Sequence, residues 1–267
     1  MKNYSYFGFL IVSLFLQMSC SKTLPSSIEP DVVLVTEAGE IGLKLYKETP
    51  IHRENFLKLA QEGFYDSLLF HRVIHEFMIQ AGDPRTRNEQ TQKDTTLGDD
   101  PGYTLPAEIR ESFLHTPGKL AAARYPDNEN PEWRSSGSQF YIVTGAPVNA
   151  ARLDTMEMQY NYIRKGRYFT EWQAAVNKGD YTDAFDAYLK EKGFSEYHYS
   201  MPQRKIYYEE GGAPWLDFQY TIFGEVVKGM DVANEIGKVS TNQYDQPLKP
   251  IRILKMIVPD TLSAYTD

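Results

Sequence analysis

The chain has 267 residues, enough for one large domain or two modest ones, and 42% hydrophobic with 13% aromatic residues is ordinary globular composition. A formal net charge of -8 with no dense Lys/Arg block leaves no phosphate-neutralising face, which excludes nucleic acid as a partner. The single cysteine, Cys20, rules out an intrachain disulfide.

Residues 1–19 read as a signal peptide. Lys2 supplies a positive charge, and the apolar run Phe7 to Leu16 falls short of the ~20 residues a membrane-spanning helix needs but fits a signal core. Gln17-Met18-Ser19-Cys20 then resembles the lipobox of bacterial lipoproteins, although Gln17 stands where that pattern prefers Leu. The resemblance implies lipidation of Cys20, with residues 20–30 as a short tether. Buried acyl methylenes would hold the protein at a membrane, in the cell envelope of a bacterium on the periplasmic or surface side. A plain secretory signal with an incidental cysteine is the competing reading.

The folded domain is expected over 31–258, with 259–267 as a tail. Val33 and Val35, then Ile41, Leu43 and Leu45, form two alternating runs around Ala38-Gly39, a hairpin pattern. Thr49-Pro50 starts a helix, with Thr49 as cap, Phe56, Leu59 and Ala60 as its apolar stripe and Gly63 as its end. Strands follow over Phe70 to Ile79, a polar loop over Arg85 to Gly102, and strands again at Gly118 to Arg124 and Gln139 to Thr144. Tyr220 to Val227 reads as a strand, Asp231 to Ile236 as a short helix and Ile251 to Val258 as a closing strand. The class is mainly β with two helices, a closed sheet rather than an α/β layer. Residues 149–213 break the pattern. Met156, Tyr160 and Ile163 fall at helix spacing, as do Phe185, Tyr188 and Leu189, with Thr170 and Thr182 as caps and Gly166, Gly179 and Gly193 as stops. Their aromatic density argues for a folded helical insertion.

Phe70 to Asp83 (Phe-His-Arg-Val-Ile-His-Glu-Phe-Met-Ile-Gln-Ala-Gly-Asp) resembles the cyclophilin signature. Gly118 to Arg124, Ser136 to Ile142, Trp215-Leu216-Asp217 and Phe223 to Val226 resemble further blocks of that family, in its order. The resemblance implies a peptidyl-prolyl cis-trans isomerase on a closed eight-stranded antiparallel barrel with two capping helices, needing neither cofactor nor metal. Its partners would be proline-containing polypeptides, here exported proteins whose folding it assists. An X-Pro bond rotates slowly because rotation breaks amide resonance, against a barrier of about 18–20 kcal/mol. Catalysis therefore requires only an apolar grip on the proline and a fixed donor that favours the twisted state. By resemblance Arg72 is that donor and Gln80 orients it. Phe77, Met78, Tyr141 and Leu216 form the proline pocket. His71, Ala123, Arg124, Gln139 and Phe140 bind the flanking peptide, and Trp215 and Tyr220 close the rim.

Outside that resemblance, Phe77 and Met78 read as core, Arg72 as a surface charge, and Gln80 and Gln139 as buried amides. A metal at His71 and His75 is disfavoured, because four-residue spacing suits a helix and this segment reads as a strand. Three departures from the family stand out: Tyr141 for phenylalanine at the pocket floor, whose hydroxyl needs a partner; Ala81 for glycine, tolerable only without a positive φ; and Tyr220 where many relatives carry histidine. The 149–213 insertion lies between Tyr141 and Trp215, so it either extends or restricts the groove, docks a partner protein, or only stabilises the fold. A peptide-binding or chaperone module with little turnover is the alternative to an isomerase.

Overall fold

The computed structural model describes residues 28–87 and 101–259. The signal segment 1–19, Cys20, most of the 20–30 tether and the tail beyond residue 259 lie outside the described residues. Among the described residues no helix is long and apolar enough to cross a membrane.

β1 (Val32–Thr36) and β2 (Gly39–Leu45) form the expected hairpin, with Thr36 opposite Gly39. The inward face of β1 carries Val32 and Leu34, while Val33 and Val35 are half-buried. Apolar residues on both faces leave the alternation without a preferred side until a partner strand sets it. α1 (Pro50–Gln61) buries Phe56, Leu59 and Ala60 as predicted and starts with proline in its first turn. Its cap differs. Thr49 makes no side-chain capping bond. The Glu108 carboxylate instead receives the N–H groups of Ile51 at 3.2 Å and His52 at 2.9 Å and meets His52 Nδ1 at 2.7 Å. A carboxylate on free first-turn amides satisfies them and also suits the helix dipole.

β3 (Arg72–Ile74) and β4 (Met78–Ala81) make a second hairpin. Two-residue strands β5 (Thr104–Leu105) and β7 (Ser135–Ser136) pair with each other. β6 (Lys119–Ala122), β8 (Phe140–Val143), β9 (Ile222–Lys228) and β10 (Ile253–Ile257) complete an antiparallel, curled eight-stranded sheet of order β10-β1-β2-β9-β6-β8-β4-β3. Its concave side is filled from α1 and the strands: Phe56, Tyr65 and Phe140 meet edge-on or tilted at 5.1–5.6 Å among Leu34, Ile41, Leu120 and Ile142. The chain just before β3 reaches β10, with Ser67 donating to the Ile253 carbonyl at 2.8 Å and Phe70 to the Ile251 carbonyl at 3.0 Å. α5 (Met230–Ile236) follows β9.

Between β8 and β9 lie α2 (Ala150–Lys178), α3 (Phe185–Glu191) and α4 (Met201–Glu209). α2 is longer than the glycine pattern predicts. It runs through Gly166, whose flank is open space, and Thr170 is internal, its hydroxyl donating to the Gly166 carbonyl at 3.1 Å. The cap is Asn149, accepting the Arg152 N–H at 2.9 Å, and Gly179 at φ +78 ends the helix. Thr182 is likewise not a cap, since α3 starts from Ala184. Ser200 and Gln203 form a reciprocal capping box on α4.

The glycine question at the signature resolves by one residue. Ala81 pairs with Phe140 inside β4 and is not among the positive-φ residues, whereas Gly82 sits at φ +99, where an added Cβ would collide with the Ser138 carbonyl. Gly82→Ala is expected to cost about 2 kcal/mol or more, against about 1 kcal/mol for Ala81→Gly. Urea unfolding of both variants measures this; the reverse order would mean the turn does not require Gly82.

Candidate active site

Strand register assembles the site. Arg72 on β3 lies opposite Gln80 on β4, Gln80 opposite Tyr141 on β8, and Tyr141 opposite Ala121 on β6. Cross-strand partners share a face, so these four side chains line one row on the side of the sheet away from the main core. The next row carries Ile74, Met78 and Val143. Met78, Tyr141 and Val143 are buried with Ala121, Ala213 and Ile222, and Phe77, Trp215, Leu216 and Tyr220 pack on them half-buried. The result is an apolar recess with an arginine at its edge.

Arg72 is 45% exposed, and its Nε meets the Asp245 carboxylate at 3.3 Å. A surface pair of that length contributes about 0–1 kcal/mol, which leaves the guanidinium easily recruited by another acceptor. Gln80 lies beside Arg72 in the register, but its amide donates to Gln139 Oε1 at 3.0 Å. Arg124 turns its guanidinium inward, donating to the carbonyls of Gln219 at 2.9 Å and Tyr125 at 3.0 Å and to Asp127 at 2.7 Å. It also stacks over Tyr220 at 4.5 Å and Trp133 at 5.1 Å. Trp215 stands between Phe77, at 5.2 Å between ring centroids, and the Arg152 guanidinium of α2 at 4.7 Å.

The Tyr141 hydroxyl finds its partner beneath the recess, in His115 Nε2 at 2.9 Å. His115 Nδ1 and backbone N–H meet Asp217 Oδ1 at 2.9 and 2.7 Å. Asp217 Oδ2 accepts the phenols of Tyr199 at 2.6 Å and Tyr207 at 2.5 Å. Burial, and then the Asp217 charge, raises the pKa of both phenols, and burial does the same for Tyr141, so all three stay protonated.

Nine of the expected site residues gather here: Arg72, Phe77, Met78, Gln80, Gln139, Tyr141, Trp215, Leu216 and Tyr220. Ala123 follows at the end of β6, with its N–H on the Gln139 carbonyl at 3.0 Å. Arg124 reaches the recess through its guanidinium, stacked on Tyr220. Two expectations are corrected. Phe140 points into the main core, since it neighbours Tyr141 on a strand and must take the opposite face. His71 precedes Arg72 and, by the same alternation, turns the other way, its ring nitrogens shut off from solvent. Sequence reasoning missed His115, Tyr199 and Tyr207, and read Asp217 only as a motif letter.

Residues 32–183 and 195–258 match the family described as cyclophilin type peptidyl-prolyl cis-trans isomerase/CLD. A peptidyl-prolyl cis-trans isomerase of Arabidopsis thaliana is 30% identical over 242 residues, covering 88% of this chain; the chain spans only 25% of that relative. A Staphylococcus saprophyticus protein assigned as such an isomerase is 28% identical over 226 residues, 84% of this chain and 89% of its own length. A solved cyclophilin type isomerase of Cryptosporidium parvum has the same fold, with a TM-score of 0.53 at 19% identity over 85% of this chain and 96% of that one.

Burial pushes the His71 imidazole down to about 4, with the Asp83 carboxylate pulling the other way. The unfolded chain takes up that proton near the ordinary value of about 6.5, so it binds more protons than the folded chain between those values. Stability from this group is full above pH about 6.5 and falls as pH drops toward about 4. Burial lowers His52 as well, with the same sign. Thermal unfolding from pH 7 to 4 should show a falling Tm, with a shallower slope in His71→Gln; an unchanged slope would place the titration elsewhere.

Proposed function

The chain belongs to the cyclophilin-type peptidyl-prolyl cis-trans isomerase family, and from that premise we propose that it isomerises X-Pro bonds of exported proteins and assists their folding at the cell envelope. The observation that carries the reading is the register row: a loosely paired Arg72 beside an apolar recess of Phe77, Met78, Tyr141 and Leu216. The recess takes the proline ring. The guanidinium donates to the proline unit as the amide twists, when the nitrogen loses resonance and becomes a better acceptor. A rigid cationic fork aimed at charge that appears only in the twisted state lowers the barrier without binding the planar amide equally well. No covalent bond is made, so no general base is needed. Gln80 and Gln139, joined amide to amide, fix the polar side of the recess, and Ala123 with the Arg124 backbone takes the flanking peptide.

In this reading the isomerase domain covers 31–258, the curled sheet is a barrel closed along the 67–70 and 251–253 seam, and 149–213 is an inserted helical subdomain. The signal segment 1–19 is removed, Cys20 carries a lipid, and residues 20–30 tether the domain to a bacterial envelope membrane on its periplasmic or surface side. What supports this is the charged, apolar and small-residue order of the leader.

Arg72→Ala should lower kcat/KM on a proline tetrapeptide about a hundredfold or more while the fold persists, the usual scale for removing a donor to developing charge. Equal, slow turnover by wild type and variant would instead make the protein a peptide-binding module. Labelled palmitate should enter the wild type and not Cys20→Ala; label retained by the variant would overturn the anchor.

A further inference from the structure

We infer that Tyr199 and Tyr207 are positioning residues for the isomerase site, acting through Asp217 and His115 on the hydroxyl of Tyr141. This rests on the reading of Tyr141 as the floor of the proline pocket. All five residues are at most 4% exposed, with His115 and Tyr207 at 0%. A buried carboxylate needs a full set of donors, and Asp217 has four: two from His115 on Oδ1, and the two phenols on Oδ2. The phenols come from the helical segment, Tyr207 from α4 and Tyr199 just ahead of it. They hold the carboxylate plane, and the carboxylate faces His115 Nδ1 at 2.9 Å. In this relay Nδ1 carries the hydrogen toward Asp217 and Nε2 accepts from the Tyr141 hydroxyl, 2.9 Å away, so that the hydroxyl hydrogen turns away from the recess. The proline ring then meets an aromatic face whose polar end is already occupied.

Without the phenols, Oδ2 is a buried acceptor with no donor. The carboxylate and imidazole reorient, and the Tyr141 ring loses its fixed position. Displacing a positioning group by about 1 Å can lower a rate by up to about a hundredfold. The helical segment is thus a working part of the pocket rather than an appendage beside it.

A double-mutant cycle separates this relay from a general loosening of the fold. Tyr199→Phe/Tyr207→Phe should reduce kcat/KM about tenfold in the wild-type background and less than about twofold in a Tyr141→Phe background, where the hydroxyl to be positioned is gone. The same loss in both backgrounds, or none in either, would overturn the relay. Should the double variant fail to fold, Tyr199→Phe alone carries the cycle. The 15N shifts of the His115 ring report the relay independently of turnover. They should show an Nδ1–H, bare-Nε2 imidazole in the wild type that changes when the phenols are removed. Unchanged shifts would sink the inference even in an active enzyme, whereas an inactive wild type with the expected shifts would sink the isomerase reading instead.

Discussion

Everything the site does depends on the pleat of β4. Met78 and Gln80 face outward and Ile79 and Ala81 face the core, and β4 is held on one side by β3 and on the other by β8. Because cross-strand partners share a face, that register brings Arg72, Gln80 and Tyr141 into line without any loop having to fold over them. A slip of one residue would send Ile79 and Ala81 to the recess and bury Gln80 in hydrocarbon, so the core itself enforces the register. The strand that carries Arg72 and the buried residues of the recess are therefore fixed by the sheet itself. For a reaction whose catalysis is differential binding of a twisted amide, that rigidity is the main resource the protein supplies.

The second constraint is the short stretch from Trp215 to Phe218, which divides its side chains between two bodies. Trp215 and Leu216 join the recess, while Asp217 and Phe218 face the helical segment. Phe218 sits at φ +63, a costly conformation for an aromatic residue, worth about 1–3 kcal/mol of strain. What offsets it is its ring, 5% exposed and packed on Tyr160 at 3.9 Å and Tyr197 at 4.6 Å between centroids. The same left-handed turn lets Asp217 point at His115 and the two phenols. Strain at one residue thus keeps the apolar recess and the helices in register with each other.

Much of this was legible in the chain. The signature block from Phe70 to Asp83, with its later companions, carried the family, and named residues that the strand register brings together, because these blocks follow one another in local order. Alternation alone placed Ile41, Leu43 and Leu45 inward, yet could not choose a side for Val33 against Leu34 where both faces are apolar. Phe140 was misplaced by reading motif adjacency instead of the pleat that separates it from Tyr141. Thr49 looked like a cap, but Glu108, 56 residues from His52, does the work. His115 stands 102 residues from Asp217 and 26 from Tyr141, and no local pattern announces a contact of that kind. The capping box at Ser200 and Gln203, by contrast, was there to be read.

Floor and rim of the recess are held by different physics. Short hydrogen bonds on a buried carboxylate hold the floor. The rim is a stack in which Tyr220, Arg124, Trp133 and Arg167 of α2 follow one another at 4.5, 5.1 and 4.6 Å. Buried hydrogen-bonded charge tolerates little displacement, because every lost donor exposes the full desolvation cost of the carboxylate. The stack is anchored at Arg124, whose side chain is only 3% exposed and whose guanidinium is also held by the Gln219 and Tyr125 carbonyls and Asp127. A desolvated cation over a ring contributes about 2 kcal/mol or more, against about 0.5–1 kcal/mol at an exposed one such as Arg167. Tyr220 is therefore held firmly on its Arg124 side, and the stack loosens only outward, toward Trp133 and Arg167. The recess is thus braced at floor and rim by buried charge, satisfied in the one case by hydrogen bonds alone and in the other by hydrogen bonds and aromatic faces together.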